Sequence, residues 1–408
     1  MFQIFAFALA EDSAFRFANE IAYTQRMKWT LLVPGALVPD ALAPDLARAE
    51  PAPRLSQLLA QVQGATQHHA AEADIGAAHW SWLARTFGLN SDPPVSAPYA
   101  WQALGGTQDD VQQYWIAFCD PVHMAVGRDS VIVTDLADAP LLPEETEGLL
   151  SLARDALCEK SEGATPDAGT GTFRGVRFRL EVRNEQWFLL ADTPIDLQGT
   201  TLDSVLGKPA HERMPSGSNA RAWRNLTNQI QMLWHTSAIN AAREQRGASI
   251  ANGLWVHGGG QWKPLPPNSI TQVRAKDRCI DAAVLRGWLM AGSGVASEDV
   301  TRREKERGDT LSLCRVLFRA FAFQDWESWL LRLSLLEEQL AQDLAAARAC
   351  GAKRFDLVVC GLREIHTLTI PLYVPWWRRV GIAPRLASPA LQRWFAEAQA
   401  FGEQAHQR

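Results

Sequence analysis

The chain has 408 residues, 47% hydrophobic and 21% charged, with 16 Phe and 16 Trp. That content excludes a disordered, collagenous or low-complexity chain and leaves room for two or three domains with substantial cores. The net charge of -5, with no basic tail, argues against a protein held to nucleic acid or anionic membrane mainly by charge.

At the N-terminus, Met1 to Ala10 is apolar and ends in Ala8-Leu9-Ala10, but no cation appears before Arg16, so it does not read as a signal peptide. The run Trp29 to Val33 is short, apolar and ended by Pro34-Gly35, as a buried strand is. From Arg54 to Val62 the spacing of Leu55, Leu58, Leu59 and Val62 predicts a helix. A second helix is expected over His79 to Phe87, then a Pro-rich connector from Pro93 to Pro98. Val131 to Asp135 reads as a strand, Pro143 to Leu157 as a helix, and Phe173 to Phe178 with Gln186 to Leu190 as paired strands. Ser161 to Gly171 and Pro209 to Asn219 have loop composition. Ala220 to Trp234 carries Trp223, Leu226, Ile230, Leu233 and Trp234 on one side of a helix. Trp326 to Cys350 predicts one long helix with Gly351 at its C-cap, followed by a buried strand from Phe355 to Val359. The alternation is that of an α/β protein. No apolar run reaches the roughly 18 to 20 residues that span a bilayer. Six cysteines, Cys119, Cys158, Cys279, Cys314, Cys350 and Cys360, lie scattered without a C-x-x-C pair. They read as reduced thiols in a soluble cytoplasmic protein.

The most ordered segment runs from Asn228-Gln229-Ile230-Gln231-Met232-Leu233-Trp234-His235 through Asn240, Arg243 and Gly247 to Ala251-Asn252-Gly253-Leu254-Trp255-Val256-His257-Gly258-Gly259-Gly260. An arginine fork, two carboxamides and the backbone N–H groups of a glycine turn could together receive a small anion such as a phosphate ester. The plainer alternative makes Asn240 a turn cap, Arg243 a surface helix residue and the glycines a tight loop. Neither a Walker A nor a Rossmann spacing is present.

The pattern Asn-x-x-Gln-Met-Leu-x-His, Asn-x-x-Arg-x-x-x-Gly, Asn-x-x-Trp and Gly-Gly-Gly resembles the bacterial RpfE-type regulatory protein family. The resemblance extends upstream to Asp120-Pro121-Val122-His123-Met124 with Asp135, and downstream to Trp376-Trp377-Arg378-Arg379. Through that family the chain is similar to archaeal-type, cofactor-independent phosphoglycerate mutase, of the alkaline phosphatase superfamily. Pro264-Leu265-Pro266, Ile280-Asp281-Ala282-Ala283 and Arg286-Gly287 continue the match. Ser237-Ala238, Gly253 and His257 depart from it.

The resemblance implies an alkaline-phosphatase-like core, residues 1–116 and 261–390, with an inserted α/β domain over 117–260 and a C-terminal helix or tail over 391–408. It also implies two divalent metals held by Asp and His ligands. Where the family has its first Asp-Gly this chain has Pro34-Gly35. Where a Gly-His-Asp belongs it has Ala322 to Glu327, and after the last buried strand it has Cys360-Gly361-Leu362. Glu364 and His366 form only one displaced pair, so no metal or other cofactor is expected. The expected ligand residues are Asn240, Arg243, Asn252, Trp255, Gly258, Gly259 and Gly260. Asp120 and His123 are the weak candidates for an acid/base pair, with local hydrogen bonding of His123 as the alternative. Three readings follow. The first is a catalytically silent regulatory protein with a protein partner and a small phosphorylated or carboxylated ligand. The second is a phosphate-ester enzyme with a rebuilt site, and the third is a partner-binding module built on Trp376-Trp377.

Overall fold

The computed structural model describes residues 27–39, 41–42, 52–127, 130–158, 170–173, 176–275, 280–293 and 308–372. Met1 to Ala10, most of the Ser161 to Gly171 loop, Cys279, Trp376-Trp377-Arg378-Arg379 and the 391–408 tail lie outside them. Lys28–Pro34 forms β1, Pro53–Leu59 α1 and Gly64–His69 β2. Next come α2 (Ala78–Phe87), α3 (Ala97–Ala103), α4 (Gln108–Gln113), β3 (Trp115–Val126) and β4 (Val131–Thr134). Helix α5 (Pro143–Cys158) leads to β5 (Thr170–Phe173), β6 (Val176–Arg183) and β7 (Gln186–Ala191). The chain continues through α6 (Leu202–Val205), α7 (Ala220–His235), α8 (Ala238–Gln245), β8 (Gly253–Gly260), β9 (Ile270–Arg274) and α9 (Ile280–Ser293). The last described stretch is β10 (Asp309–Leu313), α10 (Phe318–Ala322), α11 (Trp326–Leu331), α12 (Leu333–Ala349), β11 (Arg354–Cys360) and β12 (Glu364–Pro371).

The described residues divide into two compact units, one drawn from 1–69, 269–275 and 298–408, the other from 70–268 and 276–297. The boundaries therefore lie outside the expected 117 and 260. Helices α2, α3, α4 and α9 group with the second unit because packing, not sequence order, ties them there. Gly287 of α9 runs so close to α3 that a Cβ on it would lie 2.1 Å from the Tyr99 carbonyl oxygen.

The first unit holds a sheet of order β2-β12-β11-β1-β10-β9, in which β1 is parallel to β10 and β11, and β12 is antiparallel to β11 and β2. Its central strands are buried on both faces, as a parallel sheet covered by helices requires. Trp29, Leu31, Val33, Phe355, Leu357 and Val359 pack with Trp329, Leu336 and Leu340. The helix expected from Trp326 to Cys350 is two helices, joined at Arg332, which closes α11 and opens α12. The Asp325 side chain caps α11 by accepting from the Ser328 N–H, and Gly351 takes the positive φ that ends α12.

In the second unit the sheet order is β4-β3-β7-β6-β5, with β8 on the other edge of β3. Trp115 to Phe118 pair with β7 and His123 to Val126 with β4. Pro121 falls in the gap between those two partners, where a missing N–H breaks no ladder bond to either. One sheet face, with Ala117, Cys119, Trp187, Leu189, Leu254 and Val256, packs on α5 and α7 through Leu149, Trp223, Ile230 and Trp234. Cys119, Cys314 and Cys360 are buried and Cys350 is exposed, and none of these four is in a disulfide. Among the described residues no helix is long and apolar enough to cross a membrane.

Candidate functional site

The C-terminal ends of parallel strands are where an α/β sheet ordinarily places its ligands. In the first unit the ends of β1 and β11 are filled with apolar groups. Gly35, at φ +73°, follows β1, and a Cβ on it would sit 2.8 Å from Phe321 Cβ and 3.0 Å from Phe318 Cα. Its carbonyl accepts the Trp329 indole N–H at 2.8 Å. At the end of β11 the Leu37 N–H bonds the Cys360 carbonyl, and a Cβ on Gly361 would lie 2.8 Å from Leu37 Cβ. Burial pushes the Cys360 thiol far up, away from the thiolate a metal needs. Asp325 is occupied as a cap, and hydrogen bonds from Ser328 hold its carboxyl below the usual range. His366 and Glu364 share a face of β12, with His69 opposite Glu364. Burial, and then His69, lower the His366 ring, against the pull of Glu364. Among the described residues no three His, Cys, Asp or Glu are grouped to hold a metal ion. The two-metal site that the resemblance implies does not fit these residues.

The ordered segment of the second unit folds differently from an anion receptor. Arg243, expected to offer its fork to a ligand, is 0% exposed. Its Nε donates to Ser249 O at 2.8 Å, Nη1 to Glu145 Oε2 at 2.6 Å and to Pro140 O, and Nη2 to Ala139 O. Arg246 holds the other oxygen of Glu145. Burial pushes the Glu145 carboxyl up, but the Leu142 N–H and the two arginines outweigh it and leave it low. Asn240 is equally committed, donating to Trp234 O and Ala251 O and accepting from the Ala251 N–H. Asn252 pairs with both backbone groups of Met124. The indole N–H of Trp255 goes to Thr200 O. Gly258, Gly259 and Gly260 are not a turn but the end of β8. There the absent Cβ atoms admit Ser96 Oγ, Trp115 and Val95, respectively, each within 2.6 Å of a built Cβ. The side chains of Asn240, Arg243, Asn252 and Trp255 are thus all bonded within the second unit.

The expected Asp120–His123 pair is also replaced. The Nδ1 of His123 meets Ile250 O at 2.9 Å, a backbone contact 127 positions away in sequence and neither the expected pair nor a local bond. Asp120 instead faces His257 across the β3–β8 ladder, with Nε2 2.7 Å from Oδ2. Gln186, at the start of β7, donates to the other carboxylate oxygen. The register explains this. Asp120 lies opposite Trp255 and Phe118 opposite His257, so Asp120 and His257 share one face of the sheet as diagonal neighbours. The His257 ring tilts against Phe118 with centroids 5.0 Å apart. With Nε2 turned to Asp120, the other ring nitrogen of His257, Nδ1, is buried without a protein partner. Gly199 crosses directly above, a built Cβ there lying 1.9 Å from Val256 O and 3.4 Å from His257 Cα. Thr200 and Thr201, the next two residues, carry buried hydroxyl oxygens without partners. Burial first, and the Asp120 carboxylate second, push the neighbouring Cys119 thiol well up.

Sequence reasoning singled out Asp120 but missed His257 and Gln186, which only the strand register brings to it. Asp120→Ala should cost about 2 kcal/mol by orphaning the His257 N–H and the Gln186 amide. In urea unfolding, a double-mutant cycle should couple Asp120 with His257 and leave Asp120 additive with His123. The reverse pattern would restore the pairing expected from sequence.

No family model matches the chain, and no curated protein matches its sequence. Among solved structures it is similar to the cofactor-independent phosphoglycerate mutase from Thermoplasma acidophilum, at 13% identity over 89% of this chain and 94% of that one, with a TM-score of 0.37. A protein from Pyrococcus horikoshii is similar at 12% identity over 85% and 88% of the two chains, with a TM-score of 0.44. The likeness to phosphoglycerate mutase is thus weak and structural, and no match supports the RpfE-type assignment.

Proposed function

We propose that the chain is a catalytically silent relative of metal-dependent phosphoglycerate mutase, acting in the cytoplasm as a regulatory or interaction protein of the RpfE type. The observation that carries this reading is the filling of the strand ends by Phe318, Phe321 and Leu37 against Gly35 and Gly361, where the sequence resemblance puts metal ligands. The polar residues of the Asn240–Gly260 segment add to it, since their donors are taken up within the fold. The activity of such a protein would lie in what it binds, a protein partner and a small phosphorylated or carboxylated effector. Purified protein assayed for mutase turnover with manganese, cobalt or zinc should match the protein-free blank. Turnover that rises with metal and disappears on chelation would overturn the reading.

One observation favours the second reading, a phosphate-ester enzyme with a rebuilt site. His257, oriented by Asp120 and with an Nδ1 that has no protein partner, brings together the residue types of an acid/base pair. Under this reading a panel of phosphate esters is turned over without added metal, and His257→Asn abolishes that turnover in protein that still unfolds cooperatively.

A further inference from the structure

A second polar cluster lies in the same unit, away from the Asp120–His257 pair. Asp74 ends a short 3₁₀ turn, Glu72–Asp74, just before α2, and is 1% exposed. One oxygen, Oδ2, accepts the Ser81 hydroxyl at 2.6 Å, and that hydroxyl in turn accepts the Ala71 N–H at 2.9 Å. The other, Oδ1, is buried and has no partner. A carboxylate is solvated in water by several donors, and here it would keep one.

The charged groups around it do not compensate. On the 3₁₀ segment Ala210–Arg213, Arg213 donates to Glu72 O at 3.1 Å, so its guanidinium is engaged by a carbonyl. Lys208 donates to Ile75 O at 3.4 Å and Ser204 O at 2.8 Å, its Nζ lying 1.8 Å from where a Cβ on Gly76 would be. Glu212 stands beside Lys208. From the loop after α2, Asp92 adds a like charge. On α2 itself His79 is turned to Asp203, 3.2 Å away, which also accepts the Trp80 indole N–H.

We propose that the folded chain carries Asp74 as the neutral acid, and that its ionisation loosens the joint between residues 71–77 and α2, making this joint a proton-operated latch. The physical cause is desolvation, which raises the carboxyl from 3.8 to about 7. Asp92 adds to that rise, while the Ser81 hydrogen bond and Arg213 oppose it. A pKa raised on folding favours the closed joint fully below the unfolded value of 3.8. The advantage is lost as pH rises through about 7, inside the range a cell can reach. Lys208, lowered to about 8 chiefly by its own burial, clasps the same turn.

Hydrogen exchange of the full chain tests the latch. After correction for intrinsic exchange, opening of the backbone over residues 71–84 should rise about tenfold between pH 6 and pH 8, while Asp74→Asn should show no such rise. The wild-type carboxyl can be followed directly by carbon NMR, where a midpoint near 7 is expected for Asp74. A midpoint near 4, or the same pH dependence in wild type and Asp74→Asn, would overturn the proposal.

Discussion

Replacing Arg243 by methionine is expected to destabilise the protein by about 3–5 kcal/mol, the range for breaking a buried ion pair from one side. The substitution leaves the Glu145 carboxylate with one arginine and the carbonyls of Ala139, Pro140 and Ser249 without their donor, in a site where Arg243 is 0% exposed. Equilibrium urea unfolding measures the loss. In a cycle with Glu145→Gln the double variant should cost less than the two singles together, by about 1–3 kcal/mol, because the two side chains share one bond. An arginine that served a ligand from the surface would behave otherwise, with stability within about 0.5 kcal/mol of wild type. Such a result would return Arg243 to the anion-binding role its sequence context suggests.

Trp329→Ala is expected to cost about 3–5 kcal/mol, the usual loss for a large aromatic side chain removed from a core. Trp329 is nearly fully buried among the residues under β1, and its indole N–H holds the Gly35 carbonyl at the strand end. Trp329→Phe keeps most of the apolar contact but leaves that carbonyl unpaired, so about 1–2 kcal/mol is expected. Thermal or urea unfolding of the pair separates packing from the hydrogen bond. A Trp329→Phe variant as stable as wild type would mean that Gly35 is held by its neighbours alone.

The elements that the sequence predicts best are those whose burial follows a local period. Trp29 to Val33, interrupted only by Thr30, and Phe355 to Val359, interrupted only by Asp356, are short apolar runs, and both are central strands. The 3.6-residue spacing of Trp223, Leu226, Ile230 and Trp234 marks the buried face of α7. Where the period is absent, prediction fails. The exposed strand β2, with Thr66, Gln67, His68 and His69, has no apolar alternation to mark it in the sequence. The glycines of β8 suggest a turn because their role is to leave room, and the atoms that fill that room, on Ser96, Trp115 and Val95, are distant in sequence. The Trp326 to Cys350 helix keeps its spacing across Arg332, so the break there leaves no trace in the apolar pattern.

The sequence by itself determined the α/β class, the buried strands and the amphipathic helices, because each reflects the partition of neighbouring side chains between water and core. It also singled out Asp120, Asn240, Arg243 and Asn252. Only the tertiary structure decided what they do. Arg243 meets Glu145 98 positions away, and Asp120 meets His257 137 positions away rather than His123 three positions on. A polar side chain taken out of water must find a partner, and the strand register and helix packing that select it are set by long-range contacts, which no local pattern encodes.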